Sequence, residues 1–166
     1  MSQSDPKAAT PAPAATTPPG VLPAELVRFL NGGQTCIVAT IDDEGCPSTT
    51  LMTWVVARDP LTLTLAVDQR SRTLGNLRKR PHIAIEILGD GVCYGLRGHA
   101  DVEKETLAAA PFPSALVAVR IEECKDHAAP GVRFYGPRYD FEPGKEHRSA
   151  VEKAVFEELR GAPPPF

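Results

Sequence analysis

A chain of 166 residues, 42% hydrophobic and 23% charged, has the size and composition of one globular domain. Its 18 basic and 21 acidic side chains leave a net charge of −3, which excludes coating nucleic acid or an anionic membrane as the main task. No apolar run approaches the ~20 residues of a membrane-spanning helix. No basic start followed by an apolar stretch marks a signal peptide. A cytoplasmic protein with reduced cysteines is therefore expected.

Residues 1–20 are built almost wholly of Ala, Pro, Thr, Ser and Gln, without an aromatic residue or a periodic apolar face. Such a segment buries too little to offset its ordering entropy, and a solvated tail is expected. Residues 161–166, with Pro163, Pro164 and Pro165, repeat that composition, so the folded domain is expected over 21–160.

The domain opens on a short helix. Pro23 suits its first turn, Leu26, Phe29 and Leu30 share a face, and Gly32 can supply a left-handed C-cap. The period then changes to two. Thr35 to Ile41 carry apolar residues on both faces, predicting a buried strand, and Asp42-Asp43-Glu44-Gly45 predicts a hairpin turn. A second strand is expected from Ser48 to Val56, interrupted by Arg58-Asp59-Pro60. Leu61, Leu63, Leu65 and Val67 then alternate with Thr62, Thr64 and Ala66, the cleanest strand pattern in the chain.

After Asp68 the pattern turns helical, with Ser71 as cap, Leu74 and Leu77 facing inward and Pro81 as terminator. Ile83, Ile85 and Ile87 predict a strand, Gly89-Asp90-Gly91 a tight turn, and Val92–Val102 the returning strand. Gly95 and Gly98 mark places where that backbone bends or is closely approached. Strands are expected at 115–122 and 132–135 (VRFY), and an amphipathic helix from Glu146 to Arg160 with Val151, Val155 and Leu159 in one row. Short antiparallel strands with few helices predict a mainly β fold, a barrel or a sandwich; a barrel removes exposed edges.

Two segments carry the candidate chemistry. In Asp68–Pro81 a strand ends, a loop carries Arg70, and a helix begins at Ser71-Arg72. The free N–H groups and dipole of a helix start favour an anion, and two guanidiniums beside it have forks suited to phosphate oxygens. Asn76, a turn further on, can hold the loop or reach a ligand. A solvated basic helix fits these residues as well, since Arg78, Lys79 and Arg80 follow. The second segment is Ser48–Trp54, where hydroxyls alternate with apolar side chains. A flat ring can lie along such a strand; a strand with one wet face is the plainer reading.

No catalytic residue identifies itself. His82, His99, His127 and His147 are isolated, and no G-x-G-x-x-G, G-x-S-x-G or Walker-type loop occurs. The four cysteines, Cys36, Cys46, Cys93 and Cys124, form no C-x-x-C pair, so no metal site is expected, although Cys124 and His127 have ligand-like spacing.

Taken in order, these pieces resemble the pyridoxamine 5′-phosphate oxidase-like FMN-binding split-barrel family. The resemblance runs from about Val21 to Val102. It rests on CIVATIDDEGCP (Cys36–Pro47), TTLMTW (Thr49–Trp54), LAVDQRSRTLGNLRKRP (Leu65–Pro81) and Gly98-His99-Ala100. It implies a six-stranded antiparallel split β-barrel of Greek-key type with a few flanking helices, usually a homodimer holding two FMN molecules between subunits.

By position, the resemblance implies that Arg70, Ser71 and Arg72 bind the phosphate with Asn76 in support. Thr49, Thr50, Leu51, Met52 and Thr53 would run beside the ring, and Ala66 and Val67 would line the ring and ribityl region. Trp54, Phe134, Tyr135 and Tyr139 are candidates for a wall supplied by the second subunit. Thr73 stands where many members carry a lysine. The chain ends in an acidic helix rather than the Trp-bearing segment and Arg-x-His site of the true oxidase, so pyridoxamine phosphate oxidation is not expected. The link from Val102 to Ala115 is too short for the long helix of many relatives. An FMN-dependent oxidoreductase acting on a small molecule or NAD(P)H is implied. A flavin carrier without turnover, or a barrel binding deazaflavin or haem, are the alternatives.

Overall fold

The structure is a computed structural model and describes residues 20–161, so nearly all of both expected tails lies outside it. Helix α1 (Ala24–Phe29) leads into β1 (Cys36–Ile41) and β2 (Pro47–Met52), then β3 (Val55–Asp59) and β4 (Thr62–Asp68). Helix α2 (Arg72–Lys79) follows, then β5 (His82–Gly89), β6 (Val92–Lys104), β7 (Ser114–Asp126) and α3 (Arg148–Leu159). All seven strands join one sheet in the order β2-β1-β5-β6-β7-β4-β3, each neighbouring pair antiparallel.

The count and the closure differ from the expected six-stranded barrel. The segment read as one strand, 48–56, is two. Thr53 and Trp54 lie between the two strands, and the chain passes from one edge of the sheet at Met52 to the opposite edge at Val55. Only two residues separate those edges, so the sheet must curl, yet no ladder joins β2 to β3 and it stays open. The physical reason is a change of partner: Met52 still pairs with Cys36 of β1, whereas the Trp54 carbonyl already accepts the Ala66 N–H of β4 at 3.0 Å, so one strand cannot run through both ladders.

A second expectation fails at 132–135. Val132 and Tyr135 are exposed, and the segment joins the sheet only through the Gly91 N–H on the Phe134 carbonyl at 3.0 Å. Apolar alternation suffices for a strand only beside a free sheet edge. Here Pro130-Gly131 and Gly136-Pro137 bracket the four residues, and proline removes the N–H a ladder requires.

β1 also departs from expectation. Cys36, Val38 and Thr40 are buried, but Ile37 on the other face is 41% exposed. Helix α1 ends at Leu30 as C-cap rather than at Gly32, which forms the turn beyond with φ +108.

Two cores result. One face of the sheet packs Val38, Leu65, Ile85, Leu96 and Val117 around Leu26 of α1, its C-cap Leu30, and Leu74 and Leu77 of α2. On the other side, α3 lays Val155, Phe156 and Leu159 over Val56, Ala66 and Leu116. The C-terminal helix thus packs on its own sheet. This double cover explains the unbroken burial of β4 from Leu63 to Val67. Buried Thr64 donates its hydroxyl to the Leu159 carbonyl at 2.9 Å, fixing the end of α3 on β4.

Gly98 is the bend expected of it. The register between β6 and β7 shifts there, and a Cβ at this position would strike the Arg120 carbonyl oxygen. Gly95 leaves room for the His127 ring. No helix among the described residues is long and apolar enough to cross a membrane.

Candidate functional site

Where the sheet stays open, beside the Thr53-Trp54 crossing, the surface sinks into a cleft of about 1000 Å³. That is the upper end of the range of about 300–1000 Å³ for small-molecule and cofactor pockets. One wall is β2 with its crossing, Thr50 to Trp54. The floor is the end of β4, Ala66 to Asp68, continued by Ser71 and Thr73 of the α2 start. The far wall is C-terminal, with Tyr139, Phe141, His147, Arg148, Val151 and Glu152, and Pro111 and Phe112 close one side.

The α2 end is a capped helix start with unpaired backbone donors. Ser71 is the N-cap, and its Oγ accepts the Leu74 N–H at 3.2 Å. Its own hydroxyl proton stays free to donate. The N–H groups of Arg72 and Thr73 find no acceptor among the described residues, as helix starts require. Thr73 Oγ1 lies 2.9 Å from Thr50 Oγ1, tying the helix start to β2. Arg70 lies back on Asp68: its N–H reaches Asp68 Oδ1 at 2.8 Å and its Nη2 reaches Oδ2 at 3.3 Å. Those hydrogen bonds, the backbone one first, hold the Asp68 carboxyl below its usual range.

The opposite end is aromatic. Trp54 stacks on Phe112 with centroids 5.3 Å apart and planes at 15°. Glu152 Oε1 accepts both Trp54 Nε1 at 3.0 Å and the Tyr139 hydroxyl at 2.7 Å. Burial, with the hydrogen bond to Glu152 and its charge, pushes the Tyr139 phenol above its ordinary value and keeps it a donor. Tyr139 and Phe141 meet edge to face at 6.2 Å. Behind this wall Glu158, 4% exposed, accepts the Ala108 N–H at 3.1 Å and the Ala109 N–H at 2.8 Å and pairs with Lys104. Through these bonds α3 anchors the loop that carries Phe112.

Of the residues singled out in the sequence, Thr50, Leu51, Met52, Thr53, Ala66, Val67 and Ser71 line this one cleft. Thr49, Arg70, Arg72 and Asn76 do not. Asn76 is buried and donates to Thr40 Oγ1 at 3.0 Å, joining α2 to β1. Arg70 and Arg72 stand exposed beside the helix start. Trp54 and Tyr139 enter the cleft from this same chain. Tyr135 is exposed beneath the Arg133 guanidinium, away from the cleft.

Sequence reasoning passed over Asp68, Thr73, Pro111, Phe112, Phe141, His147, Arg148, Val151 and Glu152 as cleft residues. One signal was present: Phe112 lies between Pro111 and Pro113, an aromatic held in a stiff loop. Cys124 and His127 do not converge, since His127 Nδ1 sits 3.0 Å from Glu86 Oε1. Cys36 is a core side chain whose thiol burial pushes up to about 12.

The family model described as Pyridoxamine 5′-phosphate oxidase matches residues 22–157. The chain belongs to this family. The match spans every element from α1 through most of α3, well beyond the stretch over which the sequence motifs run.

Comparison with curated proteins gives no match. Among solved structures, HupZ of Group A Streptococcus is similar with a TM-score of 0.57 and 18% identity, over 72% of this chain and 99% of that one. A Lactobacillus delbrueckii protein provisionally named pyridoxamine 5′-phosphate oxidase gives 0.56 and 19%, over 64% and 94%. A Listeria innocua protein with the same provisional name gives 0.51 and 15%, over 63% and 97%. At these identities the likeness is one of fold.

Proposed function

We propose that this protein binds FMN in the cleft and acts as a flavin-dependent oxidoreductase on a small molecule or a nicotinamide cofactor. One observation carries the reading: a hydroxyl-bearing edge strand, an apolar floor and a helix start with free N–H groups, distant in sequence, meet in a single cleft large enough for the cofactor. The residues fit the group. Ser71 and the first turn of α2 would take the phosphate, with Arg72 and a released Arg70 as counter-charges. Thr50 and Thr53 would present hydroxyls, and Leu51 and Met52 apolar surface, to a ring and its polar edge. The Trp54–Tyr139 wall excludes water from the opposite side. A bound flavin would supply hydride and electron chemistry, while the chain supplies position and electrostatics.

The working form in this proposal is a homodimer. Ile37 and Leu51 are paired across β1 and β2, 41% and 66% exposed, and form an apolar patch beside the cleft. A second copy seated there would bury them and add a wall to the site.

The test is to add FMN to the purified protein, follow quenching of flavin fluorescence, and then add NADH or NADPH. Saturable FMN binding followed by bleaching of the yellow colour is expected. Binding without bleaching makes the protein a flavin carrier, and failure to bind FMN refutes the reading. Arg72→Ala should weaken FMN binding by roughly 10-fold or more, the scale of a charged hydrogen bond.

A further inference from the structure

We propose that Asp68 sets the cleft's selectivity for the ligand phosphate, as a resident rival of that phosphate for the Arg70 guanidinium. The inference rests on the FMN reading above and concerns one carboxylate within that site. Asp68 is the last residue of β4 and lines the cleft between the apolar floor and the start of α2. A site meant for an anion carries an anion of its own at its entrance, and this calls for a physical account.

The geometry supplies it. The Asp68 carboxylate does two jobs. Oδ1 accepts the Arg70 N–H at 2.8 Å while the Asp68 carbonyl accepts the Ser71 N–H at 3.0 Å, which closes the turn that leads into α2. The same carboxylate holds the Arg70 side chain, with Nε 3.4 Å from Oδ1 and Nη2 3.3 Å from Oδ2. The first job needs only an acceptor oxygen; the second needs a charge.

Arg70 is 80% exposed and otherwise unpaired among the described residues, so only this long pairing keeps it from turning toward the α2 start. A phosphate arriving at Ser71 offers a more highly charged partner two residues away. Asp68 holds the Nε and Nη2 donors of Arg70, so turning the guanidinium to the phosphate gives up those two bonds. Part of the phosphate's attraction therefore goes to separating Arg70 from Asp68. A ligand without the phosphate leaves the pair intact and loses nothing.

Asp68→Asn separates the two jobs, because the amide oxygen still accepts the Arg70 N–H and keeps the turn. At neutral pH and low salt, FMN affinity of Asp68→Asn should rise about three- to fivefold, the scale of an exposed ion pair. Riboflavin, identical but for the phosphate, should bind as it does to the unaltered protein. The gain should shrink at high salt. It should fall well below that value when Asp68→Asn is made in an Arg70→Ala background, where only the direct repulsion between carboxylate and phosphate is left to relieve.

The inference is overturned if Asp68→Asn leaves FMN affinity unchanged or weakens it, if riboflavin gains in step with FMN, or if the gain survives undiminished in the Arg70→Ala background. Each of these results leaves the flavin reading intact. An unaltered protein that binds neither flavin sinks the flavin reading and this inference with it. One that binds FMN and riboflavin equally well overturns the inference together with the placing of the phosphate at Ser71, and leaves only flavin-ring binding in the cleft.

Discussion

Truncation of Glu158 to alanine removes the one acceptor that ties three parts of the structure together. Its carboxylate is 4% exposed and serves the Ala108 and Ala109 N–H groups and the Lys104 ammonium. A hydrogen bond to a charged group is worth about 1.5–3 kcal/mol, so the two N–H donors set a loss of about 3 kcal/mol at the lower end of that range. Lys104 is 45% exposed and rehydrates, adding about 0–1 kcal/mol. A loss of about 3 kcal/mol lowers the Tm by roughly 6–12 °C for a domain of this size.

The assay is thermal unfolding followed by Trp54 emission, since the chain has a single tryptophan and it stacks on the loop that Glu158 anchors. The pH dependence sharpens the test. Burial alone would raise the Glu158 carboxyl; the Lys104 and backbone hydrogen bonds outweigh it and hold the group below its ordinary range. A depressed folded-state value stabilises above the unfolded value of about 4.3 and loses that contribution as pH falls through the folded one. The Tm gap between the unaltered protein and Glu158→Gln should therefore narrow as the pH is lowered below about 4. A gap that stays constant into acid, or Glu158→Ala with an unchanged Tm at neutral pH, refutes the reasoning.

Three further outcomes follow from the same geometry. Glu152→Ala strips the acceptor from Trp54 Nε1 and the Tyr139 hydroxyl. Its Trp54 emission should shift to the red with stronger quenching by acrylamide, at a stability cost of about 1.5–3 kcal/mol; Glu152→Gln, which keeps an acceptor oxygen, should restore the spectrum. Tyr94 and Tyr139 are both held above the ordinary tyrosine range, burial being the main cause and Glu25 and Glu152 adding to it. Two of the three tyrosines should therefore fail to ionise in the folded protein as pH passes about 10, and stability should fall above that pH because the unfolded chain releases those protons first. Ultraviolet difference titration reads both. Ile37→Glu places a charge at the centre of the exposed β1–β2 patch; light scattering should show a dimer for the unaltered protein and a monomer for the variant, and equal masses for the two would dismiss the patch as an interface.

What the sequence made legible divides by the range of the interactions involved. The α2 start was readable because everything that makes it lies within a few residues: the Ser71 cap, the inward Leu74 and Leu77, and the stop at Pro81. The bend at Gly98 was readable because only glycine lets β6 come so close to Arg120. The break at Thr53-Trp54 was not, because an uninterrupted run of hydroxyl and apolar residues does not show where the chain stops pairing with β1 and starts pairing with β4. The missing strand at 132–135 shows the converse. Its alternation is genuine, but strand formation depends on a free neighbouring edge, which no local pattern encodes. The C-terminal wall escaped for the same reason, since Phe141, Arg148 and Val151 become cleft residues only through the docking of α3.

The two walls of the cleft are consequently held by different kinds of force. Thr50 to Met52 and Ala66 to Asp68 sit in strands whose backbones are fixed by ladder hydrogen bonds, so this wall is set once the sheet has formed. The facing wall depends on side chains: one carboxylate oxygen shared by Trp54 and Tyr139, one aromatic stack and the Glu158 anchor. A ladder gives way only with the fold, whereas side-chain bonds of about 1.5–3 kcal/mol each open and re-form within the folded state. Ligand entry should accordingly be governed by the C-terminal wall and ligand orientation by the strand wall. Glu152→Ala is expected to change the rates of FMN association and dissociation together with little change in Kd, while substitution at Thr50 or Ser71 changes Kd through dissociation alone. Stopped-flow quenching of flavin fluorescence separates the two patterns, and an unchanged association rate in Glu152→Ala would contradict this division of labour.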